Sequence, residues 1–382
     1  MLWLTTLLAA IGIAQAMAGW RLVRAFRDNP APAPVTRGVT VLKPLHGDEP
    51  GLEEALATLL GSAYQPLQIV FGVHSEDDPA LAVLDRLQRR FPDPDVAVVI
   101  DGTEHGSNPK VSNLLNMLPR AKHDVLVIAD SDVWCLPGYI EAVAATVEEA
   151  GAGLATVLYV GRPANGTMAA YLGASWINHT FLPGAMMARL LGRQDALGAT
   201  MALSRATLEA IGGLEVVANE LADDQMLGQQ VRRLGLAVEL APTMVATTVG
   251  ERTLAELWRH ELRWGRTIRA LAPAEFALSS LQHPIAWALL GVMLTGGAHP
   301  AWAVFAIVWL LRARLARRID RQLRGIDEML ATRMPFWLFP LRDLMSIAVI
   351  VASYCGTRVE WRGQILHTTT SSAPPPSGSP SP

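Results

Sequence analysis

Residues Asp124-Val125-Leu126-Val127-Ile128-Ala129 run straight into Asp130-Ser131-Asp132. The unbroken apolar run predicts a strand buried on both faces, the kind found in a parallel sheet. Its neighbours repeat the theme. Val39-Thr40-Val41-Leu42, ending at Lys43-Pro44, Ile69–Val73 and Val96–Ile100 are further strand candidates. Between them lie helical patterns, one with Leu52, Leu56, Leu59 and Leu60 on one face and one over 79–90. Strand and helix in alternation predict an α/β domain with at least a parallel half, spanning 38–270. Ligands in such sheets bind beyond the carboxyl ends of the strands. Polar clusters fall at such ends: Lys43, Asp77 with Asp78, Asp130 with Asp132, and the later pair Asp223-Asp224.

The chain has 382 residues, enough for roughly two domains. Its 32 Lys and Arg against 35 Asp and Glu give a net charge of −3, which excludes a wholesale basic nucleic-acid binder. Charged residues make up 18% and apolar ones 51%, against about 25% charge in an ordinary soluble domain, so part of the excess is expected in membrane segments. Cys135 and Cys355 are too few and too far apart for a disulfide framework or a metal cluster.

Residues 2–20 carry no charge, and Arg21, Arg24 and Arg27 follow at once. An uncleaved anchor (1–27) is expected, with the next domain in the cytoplasm by the positive-inside rule. Residues 28–37 hold three prolines and read as a linker. Residues 276–311 are again uncharged and break at Thr295-Gly296-Gly297-Ala298-His299-Pro300, as a transmembrane hairpin would. The arginine-rich stretch 312–334 is expected as a cytoplasmic segment, 335–356 as a third apolar, spanning or re-entrant segment, and 357–382 as a polar tail. Residues 168–191 read either as core or as a membrane-facing shelf. Asn178-His179-Thr180 fits a glycosylation sequon that a cytoplasmic domain leaves unmodified.

An Asp-x-Asp at a strand end can share a hard divalent cation, which suits the diphosphate of a nucleotide; it can also be an ordinary turn. Asp77-Asp78-Pro79 fits a ligand site or a helix cap. Lys110, after Asn108-Pro109 in a polar loop, fits a phosphate contact or a solvated lysine. Asp224 fits a helix-terminal acid or a general base. His260, Arg263 and Trp264 share a helical stretch that fits either a leaving diphosphate or anionic headgroups.

Taken in order, Leu42-Lys43-Pro44-Leu45, Asp77-Asp78-Pro79-Ala80, Asn108-Pro109-Lys110, Asp130-Ser131-Asp132, Ala222-Asp223-Asp224 and Arg263-Trp264 resemble the ceramide glucosyltransferase-like branch of inverting GT-A glycosyltransferases. The closing motif departs from the branch at one place, with His260 where Gln or Arg is usual. Chain length and the short C-terminal part look most like the bacterial hopanoid-biosynthesis members, which attach N-acetylglucosamine to bacteriohopanetetrol. The resemblance implies a GT-A catalytic domain, with a Rossmann-like mixed sheet, between an N-terminal anchor and C-terminal membrane or interfacial helices. It implies Asp224 as catalytic base, and Asp130 and Asp132 as ligands of Mg²⁺ or Mn²⁺. Lys43, Asp77 or Asp78, Lys110, Asp130, His260, Arg263 and Trp264 would bind substrate. The partners would be a UDP-sugar, a lipid acceptor and the bilayer, and the location a multi-pass inner-membrane protein with its catalytic domain in the cytoplasm. A ceramide or other glycolipid glucosyltransferase using UDP-glucose is the alternative. A non-catalytic nucleotide-sugar-binding subunit and a processive polysaccharide synthase are more distant ones.

Overall fold

The computed structural model describes residues 1–28 and 35–356, and the backbone of Arg358–Trp361 and Gln364–His367. Strands β1 (Val39–Pro44), β2 (Leu67–Val73), β3 (Asp95–Ile100), β4 (Val125–Ala129), β5 (Val133–Cys135), β6 (Ala152–Pro163), β7 (Thr200–Ser204) and β8 (Ala237–Val249) form one sheet, ordered β3-β2-β1-β4-β7-β6-β8-β5. The first four pair in parallel; β7 is antiparallel to β4 and β6, β8 is parallel to β6, and β5 is antiparallel to β8. This is the mixed α/β sheet expected of a GT-A domain.

Helix α1 (Leu2–Arg27) precedes the sheet. Helices α2 (Leu52–Leu60), α3 (Ala80–Arg90), α4 (Pro109–Met117) and α5 (Tyr139–Val147) connect its early strands. Helices α6 (Met168–Trp176) and α7 (Leu182–Leu190) flank a π-helical turn at Ile177–Phe181. Helices α8 (Arg205–Ala210) and α9 (Asp223–Arg233) lie between β7 and β8. After the sheet come α10 (Leu254–Leu271), α11 (Pro273–Leu278), α12 (Pro284–Leu294), α13 (His299–Ile326) and α14 (Phe339–Tyr354). The strands β1, β2 and β4 are buried almost throughout because helices cover both faces. Leu52, Leu56, Val83 and Val143 belong to the core on one side, Val111, Leu114, Leu208 and Val231 to the core on the other. The stretch 168–191 is largely core, with Leu172, Ala174, Ile177, Leu182 and Met186 buried. Asn178 is buried too, its amide bonded to Gly161 and to Thr332, so the sequon there is out of reach of any modifying enzyme.

Among the described residues, α1 and the segment Phe336–Tyr354 are long and apolar enough to cross a membrane. The uncharged run 276–311 divides where the sequence places its turn, since α12 ends at Leu294 and α13 begins at His299. Its first arm differs from a plain span: the segment 273–282 and α12 meet at 75°. Its second arm differs also. The apolar part of α13 stops at Leu311, short of the roughly 20 residues a span requires, and the helix continues unbroken through the arginines. The stretch 312–334 is therefore not a free basic segment. Arg312 and Asp320 are buried, Arg312 bonding to the His179 carbonyl and to Thr180, and Asp320 to the His179 ring.

Small residues let these helices close on one another. A Cβ on Gly12 would lie 2.4 Å from the Leu281 carbonyl oxygen, and one on Gly19 2.4 Å from the Pro183 side chain. Part of the expected linker, residues 29–34, lies outside the described residues, as do 357, 362, 363 and 368–382 of the expected tail. Within that tail, Arg358–Trp361 and Gln364–His367 pair as antiparallel strands.

Candidate active site

The site forms where β1, β2 and β4 end. Lys43, at the end of β1, is fully buried, and its ammonium donates to the backbone carbonyls of Asp130 at 2.8 Å and Val133 at 3.4 Å. Burial pulls its pKa down. The side chain thus braces the Asp130-Ser131-Asp132 turn from beneath. At the end of β2, Asp78 rather than Asp77 turns inward: one of its oxygens accepts from the amides of Gly47 and Ala80, each at 2.9 Å, and the other lies 3.7 Å from His46 Nδ1. Asp77 is exposed. Glu49, in the loop after β1, accepts from Ser131 Oγ at 2.5 Å and ties that loop to the acidic turn.

Lys110 begins α4. Asn108 caps this helix by accepting from the amides of Lys110 and Val111, and Pro109 fits the first turn because it needs no donor there. The loop before it is zipped to the segment before α9. The Asn108 amide donates to the Ala218 carbonyl at 2.9 Å and its side chain to the Glu220 carbonyl at 2.8 Å. Gly106 permits this approach, since a Cβ there would sit 2.4 Å from the Ala218 oxygen. Lys110 and the Asp223-Asp224 pair are thereby held side by side. Lys110 Nζ lies 2.7 Å from Asp130 Oδ1 and 3.4 Å from Asp223 Oδ2. Burial disfavours its charge, but Asp130 and then Asp223 more than offset this and hold its pKa above the ordinary lysine range.

Asp224 stands in the first turn of α9, one oxygen accepting from the Gln225 amide at 2.7 Å. Burial and the neighbouring Asp223 push its pKa up to about 7. Asp132 is pushed up to about 6 by burial and by Asp130, against the hydroxyl of Thr247 on β8, which donates to it. Tyr159 on β6 is partly buried, and its phenol is held above its usual range by desolvation and then by Asp224, Asp130 and Asp132 together. Carboxylates from two distant parts of the chain, the Asp130-Ser131-Asp132 turn and the start of α9, therefore act on one hydroxyl.

His260, Arg263 and Trp264 lie on α10. His260 Nδ1 pairs with Glu251, at the end of β8. Despite burial, His260 and then Arg263 hold Glu251 below the usual carboxylate range. An aromatic series joins this helix to the acidic cluster: Trp264 packs on Trp176 at 5.4 Å, Trp176 on Phe181 at 5.9 Å, and Phe181 on Tyr159 at 4.7 Å. Glu49, Tyr159, Thr247 and Glu251 were not singled out in the sequence. Glu49 and Glu251 carry a readable signal, an acid in the loop just past a strand. Tyr159 and Thr247 carry none, because only the pairing of β6 and β8 with the sheet brings them here.

The carboxylate set suits a divalent cation in a limited way. Asp130 engages Lys110 through Oδ1 and Asp132 engages Thr247 through Oδ2; among the described residues the second oxygen of each has no donor. Their mutual repulsion would be relieved by a cation. Among the described residues no group of three or more His, Cys, Asp or Glu converges as a complete cage. Two carboxylates suffice for an ion that takes its remaining oxygens from a diphosphate and water.

The chain is 24% identical over 355 residues to ceramide glucosyltransferase 1 of Caenorhabditis elegans, a match covering 87% of this chain and 72% of that one. It is 37% identical over 110 residues to the ceramide glucosyltransferase of Komagataella phaffii, covering 28% of this chain and 21% of that one. Among solved structures it is similar to the mannosyltransferase PcManGT from Pyrobaculum calidifontis in complex with GDP-Man and Mn²⁺. There the TM-score is 0.48 and the identity 16%, over 93% of this chain and 99% of that one. The description "Glycosyl transferase family 21" matches residues 4–373, nearly the whole sequence, and the chain belongs to that family.

Proposed function

We propose that this glycosyltransferase moves a sugar from a UDP-sugar to a hydroxyl of a membrane lipid, in one displacement that inverts the anomeric carbon. The observation that carries the reading is the convergence of Lys110, Asp130, Asp223 and Asp224, with Asp224 held near neutrality. A carboxylate with a pKa close to the working pH is suited to general-base catalysis. Asp224 takes the proton from the acceptor hydroxyl as its oxygen bonds to the anomeric carbon, while the bond from that carbon to the departing UDP breaks. Lys110 and Arg263 supply positive charge toward the diphosphate. Asp130 and Asp132 are the residues that would hold Mg²⁺ or Mn²⁺, which when bound neutralises phosphate charge. Asp78 fixes the loop at the nucleotide end, Lys43 positions the Asp-Ser-Asp turn, and His260 and Trp264 shape the entrance on the α10 side.

A lipid acceptor accounts for the membrane helices, because the acceptor remains in the bilayer and the site must be held beside it. The arginines in the last turns of α1 favour the cytoplasmic leaflet for that site by the positive-inside rule. Similarity to ceramide glucosyltransferases along most of the chain favours ceramide or a related lipid with glucose as the transferred sugar. N-acetylglucosamine transfer to a hopanoid polyol is the second reading. Expression in a host supplied with ceramide, diacylglycerol or a hopanoid polyol, followed by mass spectrometry of the lipids, tests both. A hexose added to ceramide supports the first, an N-acetylhexosamine added to the polyol supports the second, and no glycosylated lipid from any of them contradicts the proposal.

A further inference from the structure

A groove of about 570 Å³ opens along the middle of α13, lined by Leu310, Arg314, Arg317, Arg318, Arg321 and Phe336. None of these residues belongs to the proposed active site. The arginines follow helical spacing and share one face of α13. Arg314, Arg317 and Arg321 are exposed and Arg318 is partly buried. Among the described residues none of the four has a carboxylate within ion-pair distance. Their ordered contacts are with aromatic rings: Arg317 lies 5.9 Å from the centre of Phe336 and Arg318 4.6 Å from that of Trp20. Four guanidiniums on one face repel one another unless an anion sits among them.

The groove lies at a sharp change of surface chemistry. Toward the start of α13, Trp302, Ile307, Leu310 and Leu311 are exposed, and Phe336 and Trp337 are exposed beside them. Past Leu311 the exposed positions become arginines. Helix α1 runs alongside in the same direction, with Trp20 against Arg318 and Arg27 against Gly325. Arg21 therefore stands at the level of the groove, and Arg24 and Arg27 follow just past it on the basic side. An apolar belt meeting a cationic ring across two adjacent helices is the profile of a membrane–water boundary.

We propose that this groove binds the phosphate headgroup of an anionic phospholipid, with its acyl chains lying along Leu310, Leu311 and Phe336. Guanidinium forks match phosphate oxygens, and the fixed cationic face disfavours a headgroup that carries its own positive charge. The lipid would act as a structural ligand apart from any acceptor, so the inference does not depend on the glycosyl-transfer reading.

The test uses the full chain in detergent micelles, with native mass spectrometry after addition of phosphatidylglycerol and phosphatidylcholine in equal amounts. Retention of phosphatidylglycerol is expected to exceed that of phosphatidylcholine by about tenfold or more, as several surface arginines acting together would give. A variant carrying R314Q, R317Q and R321Q should lose that preference at an unchanged Tm, because Gln keeps the helix propensity. Equal retention of the two lipids by the natural chain, or a preference surviving in the variant, overturns the proposal. So does inorganic phosphate alone raising the Tm as far as phosphatidylglycerol does, which would indicate a free-anion site. The two arms on the natural chain decide the matter even where the variant fails to fold.

Discussion

Lys110 Nζ lies 2.7 Å from Asp130 Oδ1 and 3.4 Å from Asp223 Oδ2, so one ammonium joins the turn after β4 to the start of α9. Replacing Lys110 by Met leaves both carboxylates without their cation. We expect a loss of about 1–3 kcal/mol in stability, the cost of stranding partly buried charged partners, and at least about a tenfold weakening of donor binding. Thermal unfolding and UDP titration measure the two effects. Donor binding at the natural strength would remove Lys110 from the site.

Gly198 packs against the proposed base. A Cβ there would meet Asp224 Oδ2 at 2.8 Å, closer than the carboxylate tolerates without moving. G198A is expected to displace the Asp224 carboxylate by a few tenths of an ångström and to lower kcat. The KM for the donor should change little, because Lys110 and Asp130 are untouched. Steady-state kinetics would show a kcat effect; a change confined to KM would mean that the Asp224 carboxylate serves binding instead.

Asp224 and Asp132 both hold their protons more tightly in the folded chain, with pKa values pushed from an ordinary 3.8 up to about 7 and about 6. Folding therefore takes up protons. The stability from this source is complete below about pH 4 and is lost as pH rises through 6 and 7. Without metal or donor, the Tm should fall between pH 5 and about 7.5, and D224N should flatten much of that slope. A Tm rising over this interval in the metal-free chain would contradict the burial of these carboxyls.

How much of this was legible in the sequence depended on the range of the forces involved. The run 125–129 announces a buried strand because every residue in it is apolar, and its end marks Asp130 and Asp132. The second half of the sheet was hidden. β8 is long, mixed in burial and contains Pro242, and β5 has three residues that become a strand only by pairing with β8. The sequence left Asp77 and Asp78 equivalent, and the Gly47 amide separates them. Lys110 meets Asp223 only because backbone bonds join Asn108 to Ala218 and Glu220, far along the chain. The switch from apolar to basic within α13 suggested the end of one element and the start of another. Nothing between Leu311 and Gly325 breaks a helix, however, and the burial of Arg312 and Asp320 holds the later turns against the π-helical turn.

Glu261, between His260 and Arg263, faces away from the site and makes a two-pronged ion pair with Arg342 of α14, at 2.6 and 2.7 Å. Both are buried. This pair fixes the motif-bearing helix to a candidate span. E261Q strands a buried guanidinium and should cost about 3–5 kcal/mol, with activity falling as α10 loosens. R342K keeps the charge, loses the fork, and should cost less. An unchanged Tm in E261Q would show that α10 is held by other contacts.

The most direct measurement is turnover by D224N beside its affinity for UDP. The substitution keeps the shape of the side chain and the acceptor for the Gln225 amide while removing the proton-accepting carboxylate. The expected result is UDP binding within about twofold of the natural chain and turnover lower by at least about a hundredfold, the scale of lost general-base catalysis. Turnover near the natural rate would contradict the assignment of Asp224 as the group that takes the acceptor's proton.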